Sequence, residues 1–309
     1  MPKFSVVISV YNKAHFIGNT LASVLRQTVS DFEIVIRNDG STDTSEQVIK
    51  SFKDTRIRYF SESNQGAAAG RNFVIKQAKG EYIALLDADD IWEESYLAEI
   101  EKLITLFPAE KVFATAVQIE GKDGVRASAY SFKNPTHKKH LVLPYFKSSY
   151  KNTILTSSST VLHNAVLERV GMYDTSIKSG QDTDLWVRIG IHYTIAFSTQ
   201  PLVTYLDTPQ SLYKSTRTTA HRPDWEAYKE LEKTNPTLNK FIDLNRFSLA
   251  VRSKLWGEKE AYTRFRESIT PANLNKKQRL LLATPRPVLQ LLFGTKEWLE
   301  RRGLRIGVF

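Results

Sequence analysis

Cysteine is absent from all 309 residues. That excludes disulfides, thiolate nucleophiles and cysteine-based zinc sites, and it fits a reducing compartment. No stretch approaches the roughly 18 consecutive apolar residues that a membrane-crossing helix needs. The opening run Met1-Pro2-Lys3-Phe4-Ser5-Val6-Val7-Ile8 is too short for a signal peptide and reads as a first strand. A cytoplasmic protein is therefore expected. Internal repeats and low-complexity segments are also missing, which argues against solenoids and linkers.

What is present suits a folded soluble chain. Hydrophobic residues make up 41% and charged residues 25%, enough for a substantial core. The net charge of +10 is unevenly spread. From Pro271 to Phe309, eight bases (Lys276, Lys277, Arg279, Arg286, Lys296, Arg301, Arg302, Arg305) face two acids, Glu297 and Glu300. A basic surface attracts polyanions: nucleic acid, anionic lipid or phosphorylated substrate.

The first part alternates strand and helix. Phe4 to Tyr11, Phe32 to Ile36, Ile57 to Phe60 and Tyr82 to Leu86 read as strands, the first continuous enough to be covered on both faces. Between them, Asn12 is positioned to cap a helix carrying Phe16, Ile17, Leu21, Val24 and Leu25 on one face. Asp39-Gly40-Ser41-Thr42-Asp43 supplies a turn and a second helix start, and a third helix opens at Gln65-Gly66 and stops near Gly80. This order predicts an α/β protein with a mainly parallel, doubly wound sheet. Further on, a helix containing Tyr96 to Ile104, strands over 112–119 and 160–162, and helices at 165–170 and from Gln181 are expected. After about Pro223 the pattern turns helical and basic, so an α/β domain over 1–225 (halves 1–120 and 121–225) and a helical appendage over 226–309 are predicted.

Leu85-Leu86-Asp87-Ala88-Asp89-Asp90 runs an apolar strand straight into three acids. The carboxyl edge of a parallel sheet is where α/β proteins bind ligands. Carboxylates gathered there without Cys or His form an oxygen-rich site for Mg²⁺ or Mn²⁺. Acids after a strand also cap the next helix, so this element alone does not decide the chemistry.

Taken together, Val10-Tyr11-Asn12, Asn38-Asp39-Gly40-Ser41-Thr42-Asp43, Asn64-Gln65-Gly66 with Arg71-Asn72, Asp87-Ala88-Asp89-Asp90 and Gln181-Asp182-Thr183-Asp184-Leu185-Trp186 resemble the family 2 glycosyltransferases of the GT-A fold. The resemblance covers roughly Lys3 to Tyr213. It implies an inverting transferase that takes a nucleotide-diphosphate sugar, with uracil as the favoured base, and a divalent cation, Mn²⁺ or Mg²⁺. On the matching positions, Val10 and Tyr11 would meet the nucleotide base, and Asp39 would accept a hydrogen bond from a uracil N–H. Asn64 and Arg71 would line the nucleotide and diphosphate. Asp87 would face the ribose and Asp89 the metal, with Ala88 between them in the donor site; three consecutive acids leave Asp90 open to part of either role, so Asp89 and Asp90 are the expected metal residues. Asp182 resembles the general base that takes the proton of the acceptor hydroxyl, although the start of a helix is also where an acid serves as a plain cap.

Two departures stand out. Gln181 replaces the family's usual Glu beside the base, and Asn38 replaces the first of two acids before Gly40. Many relatives also carry a His after the catalytic helix; none matches near Tyr205 to Tyr213, leaving Arg217, His221 or Arg222 as substitutes. Acceptor contacts are expected from the loops Asp123 to Tyr150 and Thr208 to Asp224. The acceptor would be a glycan or lipid-linked hydroxyl in surface polysaccharide (lipopolysaccharide-type) synthesis.

The tail interleaves its bases with Leu280-Leu281-Leu282, Val288-Leu289, Leu291-Leu292-Phe293 and Trp298-Leu299. Such a segment either packs on the catalytic domain or lies on an anionic membrane surface, here the cytoplasmic face of the inner membrane. Two other functions compete. A nucleotidyltransferase would need a Gly- and Lys/Arg-rich phosphate loop after the first strand, which Tyr11-Asn12-Lys13-Ala14 does not supply. A nucleic-acid-binding protein fits the charge, but no RNA-recognition aromatic motif or zinc spacing is present, so no nucleic acid is expected as partner.

Overall fold

The computed structural model describes residues 1–121, 124–134, 137–206 and 216–301. Asp123, Thr208, Tyr213, Arg302 and Arg305, named above, lie outside the described residues. The chain divides into two compact units, Met1–Thr208 and Pro209–Phe309, against an expected boundary after residue 225.

The first unit is built on one ten-stranded sheet. Its strands are β1 (Phe4–Val10), β2 (Phe32–Asp39), β3 (Ile57–Glu62), β4 (Tyr82–Leu85), β5 (Ile91–Trp92), β6 (Val112–Gly121), β7 (Gly124–Ala127), β8 (His140–Pro144), β9 (Thr160–His163) and β10 (Thr194–Leu206). Its helices are α1 (Ile17–Leu25), α2 (Ser45–Ser51), α3 (Ala67–Gln77), α4 (Tyr96–Leu106), α5 (Tyr145–Ser148), α6 (Asn164–Val170) and α7 (Gln181–His192). The strand order is β3-β2-β1-β4-β9-β6-β10-β5, with β7 on β6 and β8 on β10.

Strands β1 to β4 pair in parallel, with Phe4 opposite Phe32 and Tyr82 and Val10 opposite Asn38. Their carboxyl ends therefore open on one edge of the sheet. The expected parallel sheet ends there. β9 runs antiparallel to both β4 and β6, and β5, β7 and β8 are also antiparallel additions, leaving β6 with β10 as the other parallel pair. The sheet is mixed because its second half is closed by short returning strands rather than by helical crossovers.

The buried faces of β1, β2 and β4 join Ile17, Leu21 and Val24 of α1 and Tyr96, Leu97, Ile100 and Leu103 of α4 in one apolar core. Ser5 and Glu33 are buried polar exceptions with a stated use. Ser5 Oγ donates to Glu33 Oε1 at 2.6 Å, and together they accept the Lys79 and Gly80 amides, fixing the return from α3 to β4. Glu99 of α4 ties down β8 and β10 by accepting from Ser198 and Gln200 and bonding His140.

The second unit is helical: α8 (Lys229–Thr234), α9 (Pro236–Trp256), α10 (Lys259–Glu267), α11 (Lys276–Ala283) and α12 (Arg286–Arg301). Asn235 caps α9 by accepting from Leu238 N, with Pro236 in the first turn, and Gly257 ends it. Phe247, Leu249, Val251, Phe265, Leu281, Leu282 and Leu289 form a separate core. Arg246 is buried there, paired with Glu232 at 2.6 Å and Asp243 at 3.1 Å. Among the described residues no helix is long and apolar enough to cross a membrane.

Candidate active site

The ends of β1, β2 and β4 meet at one edge of the sheet. Beyond β1, Tyr11 stands with 47% of its surface exposed, while Val10 beneath it is buried. Asn12 does not cap α1. It sits at φ 51° and accepts from Thr42 N at 2.8 Å, and its own N–H meets Ser41 Oγ, so the loop after β1 is bolted to the loop after β2. Gly40 makes that second loop possible: its φ is 72°, and a β-carbon there would come within 2.7 Å of Asn64 N.

Asp39 is turned inward. Its carboxylate is buried, paired with Arg37 at 2.9 Å and accepting from the amides of Gln65 and Gly66 at 3.1 and 3.0 Å. Instead of presenting its oxygens to a base, it clamps the loop that carries the exposed Asn64. The physical reason is Arg37, a buried cation that needs a close counterion.

The three acids after β4 separate. Asp87 and Asp89 keep partial access to solvent. Asp90 is 2% exposed and points into the protein, accepting from Ser158 Oγ and, at 3.2 Å, from Leu206 N. Burial, with Asp87 and Asp89 adding repulsion, pushes its carboxyl well above the usual range. The structure thus gives Asp90 a structural task, tying β4 to β9 and β10, and does not bring it beside Asp89 as a second metal ligand. Ala88 is buried, and its carbonyl accepts from Thr20 Oγ1. Asp89 meets Lys13 Nζ at 2.5 Å. Burial and Asp87 raise its carboxyl, and Lys13 opposes them.

The distant acid arrives on α7. Gly180, at φ 91°, turns the chain into that helix, placing Gln181 inside and Asp182 in the first turn. Asp182 keeps 35% of its side chain exposed. Its Oδ1 accepts from Ser157 Oγ at 2.7 Å and lies 3.6 Å from Arg71 Nη1. The other arm of the same guanidinium, Nη2, donates to Asp87 Oδ1 at 2.5 Å. Arg71 therefore bridges the acids of β4 and α7, which lie 95 positions apart in the sequence. It lies over the Tyr173 ring, and Asn72 holds Tyr173 through both backbone groups. Desolvation raises the Asp182 carboxyl; Arg71 lowers it, Asp87 raises it, and Ser157 lowers it, leaving it above the ordinary range. Asp184, by contrast, is spent on Arg188 one turn on.

Sequence reasoning passed over Lys13 and the serine run Ser157-Ser158-Ser159. Ser157 holds Asp182, while Ser158 accepts from Asp87 N, donates to Asp90 and receives the Trp92 indole N–H on its carbonyl. Three small hydroxyl residues ahead of an apolar strand were the available signal. Of the substitutes for the family's His, Arg222 lies over Trp256 within the helical unit and donates to Thr218 O.

Can these residues hold a hard cation? Among the described residues no three His, Cys, Asp or Glu side chains form a cage. The Lys13 ammonium on Asp89 shows that this carboxylate already attracts a positive charge. One or two carboxylates, with water and substrate phosphate supplying the remaining oxygens, is how Mg²⁺ is usually held. Asp89, with Asp87 beside it, fits that donor set.

Comparison with known proteins adds kinship. Residues 5–171 match the family described as Glycosyl transferase family 2. A Rickettsia bellii protein named as an uncharacterized glycosyltransferase is 33% identical over 194 residues, 60% of this chain and 26% of that one. A Rickettsia typhi protein of the same description is 29% identical over 198 residues, 60% of this chain and 58% of that one. The chain thus spans well under two-thirds of these relatives. Among solved structures, S. aureus TarS 1-349 in complex with UDP-GlcNAc superposes with a TM-score of 0.71 at 18% identity, covering 98% of this chain and 92% of that one.

Proposed function

The chain belongs to glycosyl transferase family 2 and has the α/β GT-A fold with C-terminal helices, and from that premise we propose that it is an inverting glycosyltransferase. It moves a sugar from a nucleotide-diphosphate donor, a UDP-sugar, to a hydroxyl of a glycan or lipid-linked acceptor in surface polysaccharide synthesis. The UDP-GlcNAc complex of the S. aureus neighbour makes an N-acetylhexosamine the first donor to test. We propose the same cytoplasmic location that the sequence suggests.

The observation that carries this proposal is the Arg71 bridge between Asp87 and Asp182. It brings carboxylates from two distant elements onto one guanidinium, which supports a donor-side acid and a base serving one reaction centre. Tyr11 offers a ring face to the base, and Asp39 holds the loop bearing Asn64. Arg71 Nη1 is buried and has no hydrogen-bond partner; once the donor opens this site it would donate to a diphosphate oxygen. Asp89 and Asp87 would hold Mn²⁺ or Mg²⁺, which when bound offsets the charge growing on the leaving diphosphate. As the acceptor oxygen bonds to the anomeric carbon, the bond from that carbon to the diphosphate breaks and the acceptor proton passes to Asp182. Ser157 keeps the base aimed. The raised proton affinity of Asp182 suits this task, because a stronger base takes a hydroxyl proton more readily.

Thermal unfolding and calorimetry with UDP- and GDP-sugars, with and without Mn²⁺, test the assignment. Ligand at 100 times its Kd stabilises a protein by about 2.7 kcal/mol, an increase of several degrees in Tm. A UDP-sugar should give it only with Mn²⁺ present. Absence of binding by every nucleotide sugar in Mn²⁺ would overturn the proposal.

A further inference from the structure

Helix α12 carries two apolar faces. On one, Leu289 is fully buried and Phe293 packs against it within the helical unit's core. On the other, Val288, Leu291, Leu292 and Trp298 follow a 3-4 spacing, and all four are large and exposed, Leu291 at 71%. Leu280 of α11 adds a further exposed apolar side chain, at 68%. One apolar stripe is what a helix needs to pack on its own domain. Val288, Leu291 and Leu292 stay exposed beside that packed stripe.

The charges around that stripe narrow its occupant. Lys276, Lys277 and Arg279, all exposed, flank Leu280 on α11, and the sequence from 271 to 309 holds eight bases against two acids. A second copy of this chain would bring the same positive field against itself, which disfavours a self-paired interface. Nucleic acid would use the bases but leave Val288, Leu291 and Leu292 without a partner. A bilayer with anionic headgroups satisfies both halves: acyl chains for the leucines, headgroups for Lys and Arg, and the boundary between them for Trp298. We propose that the outer face of α12, with Leu280 of α11, docks flat on an anionic membrane surface. At about 1.5 Å per residue, its 16 residues give a contact line of about 24 Å.

Vesicle flotation of the full chain tests this. The protein should float with phosphatidylcholine vesicles doped with phosphatidylglycerol and not with phosphatidylcholine alone, and high salt should release it. The double variant L291E/L292E should lower partition at least about tenfold, with Tm and donor binding unchanged because both side chains are exposed. The W298F variant should lose the vesicle-induced blue shift in tryptophan fluorescence. Equal flotation of wild type and L291E/L292E would overturn the proposal, as would a dimer in light scattering that this variant dissolves. Salt-sensitive binding to random DNA with no vesicle binding would overturn it too. Donor binding in the same samples separates failure of this surface from failure of the transferase assignment.

Discussion

Replacing Ser157 with alanine isolates what holds the candidate base. Ser157 Oγ is 2.7 Å from Asp182 Oδ1, and a hydrogen bond to a charged group contributes about 1.5–3 kcal/mol. Asp182 keeps about a third of its side chain in solvent, so water replaces part of the lost bond, and about 1 kcal/mol remains. Turnover should fall about five- to tenfold at high pH, with the donor KM unchanged. The pH dependence carries the sharper signature. Asp182 acts as a base only when ionised, so the rate falls as pH drops through its pKa. Ser157 and Arg71 lower that pKa, whereas burial and Asp87 raise it. Removing Ser157 takes away a lowering influence and moves the acid limb of kcat further up in pH. Steady-state profiles of S157A, with S157T as the variant that keeps the hydroxyl, give both readouts. An S157A enzyme with wild-type turnover and an unmoved limb would refute the role given to this contact. A rise in donor KM alone would mean that Ser157 serves the fold.

The same electrostatics predict an order. Arg71→Met should move the acid limb further than S157A, because Arg71 is the larger of the two lowering influences on Asp182; a smaller displacement would contradict the bridge. Lys13→Ala removes a competitor for Asp89 worth about 1 kcal/mol and should tighten Mn²⁺ binding to the donor-free protein about fivefold by calorimetry; unchanged affinity would put the cation elsewhere. Asp39→Ala strands the buried Arg37 and should cost about 3–5 kcal/mol in urea unfolding; an undiminished midpoint would show that the clamp carries no weight.

The strand and helix order of the first ninety residues was legible because apolar runs and turn residues alternate there without interruption. Phe4, Val6, Ile8, Ile34, Ile36 and Ala84 all lie in the core those runs predicted. Of the later sheet, the strands expected over 112–119 and 160–162 are present as β6 and β9, but β5, β7, β8 and β10 were not legible. β10 has Pro201 inside it at a register shift, which breaks the local pattern of a strand. β5 is two residues long, and its pairing with β10 depends on a partner more than a hundred positions away. The candidate site divides the same way. Asp87, Asp89 and Asp182 were readable as acids at strand and helix ends. Their partners were not, because Lys13 reaches Asp89 across 76 positions and Ser157 reaches Asp182 across 25. Asp39 and Asp90 show the limit most clearly. Each sits at an expected position, yet Arg37 draws one inward and Ser158 with Leu206 N the other, and sequence position does not say which way a carboxylate faces.

Single-turnover transfer by Asp182→Asn, measured beside donor binding on the same protein, bears most directly on the division of labour between the two acid clusters. The amide keeps the side chain's shape and its contact with Ser157 but cannot accept the acceptor's proton. Chemistry should slow by about 10²–10⁴-fold, while UDP-sugar binding in Mn²⁺ stays within a few-fold of wild type. Transfer at the wild-type rate, or loss of donor binding in step with the rate, would contradict the assignment of Asp182 as the base.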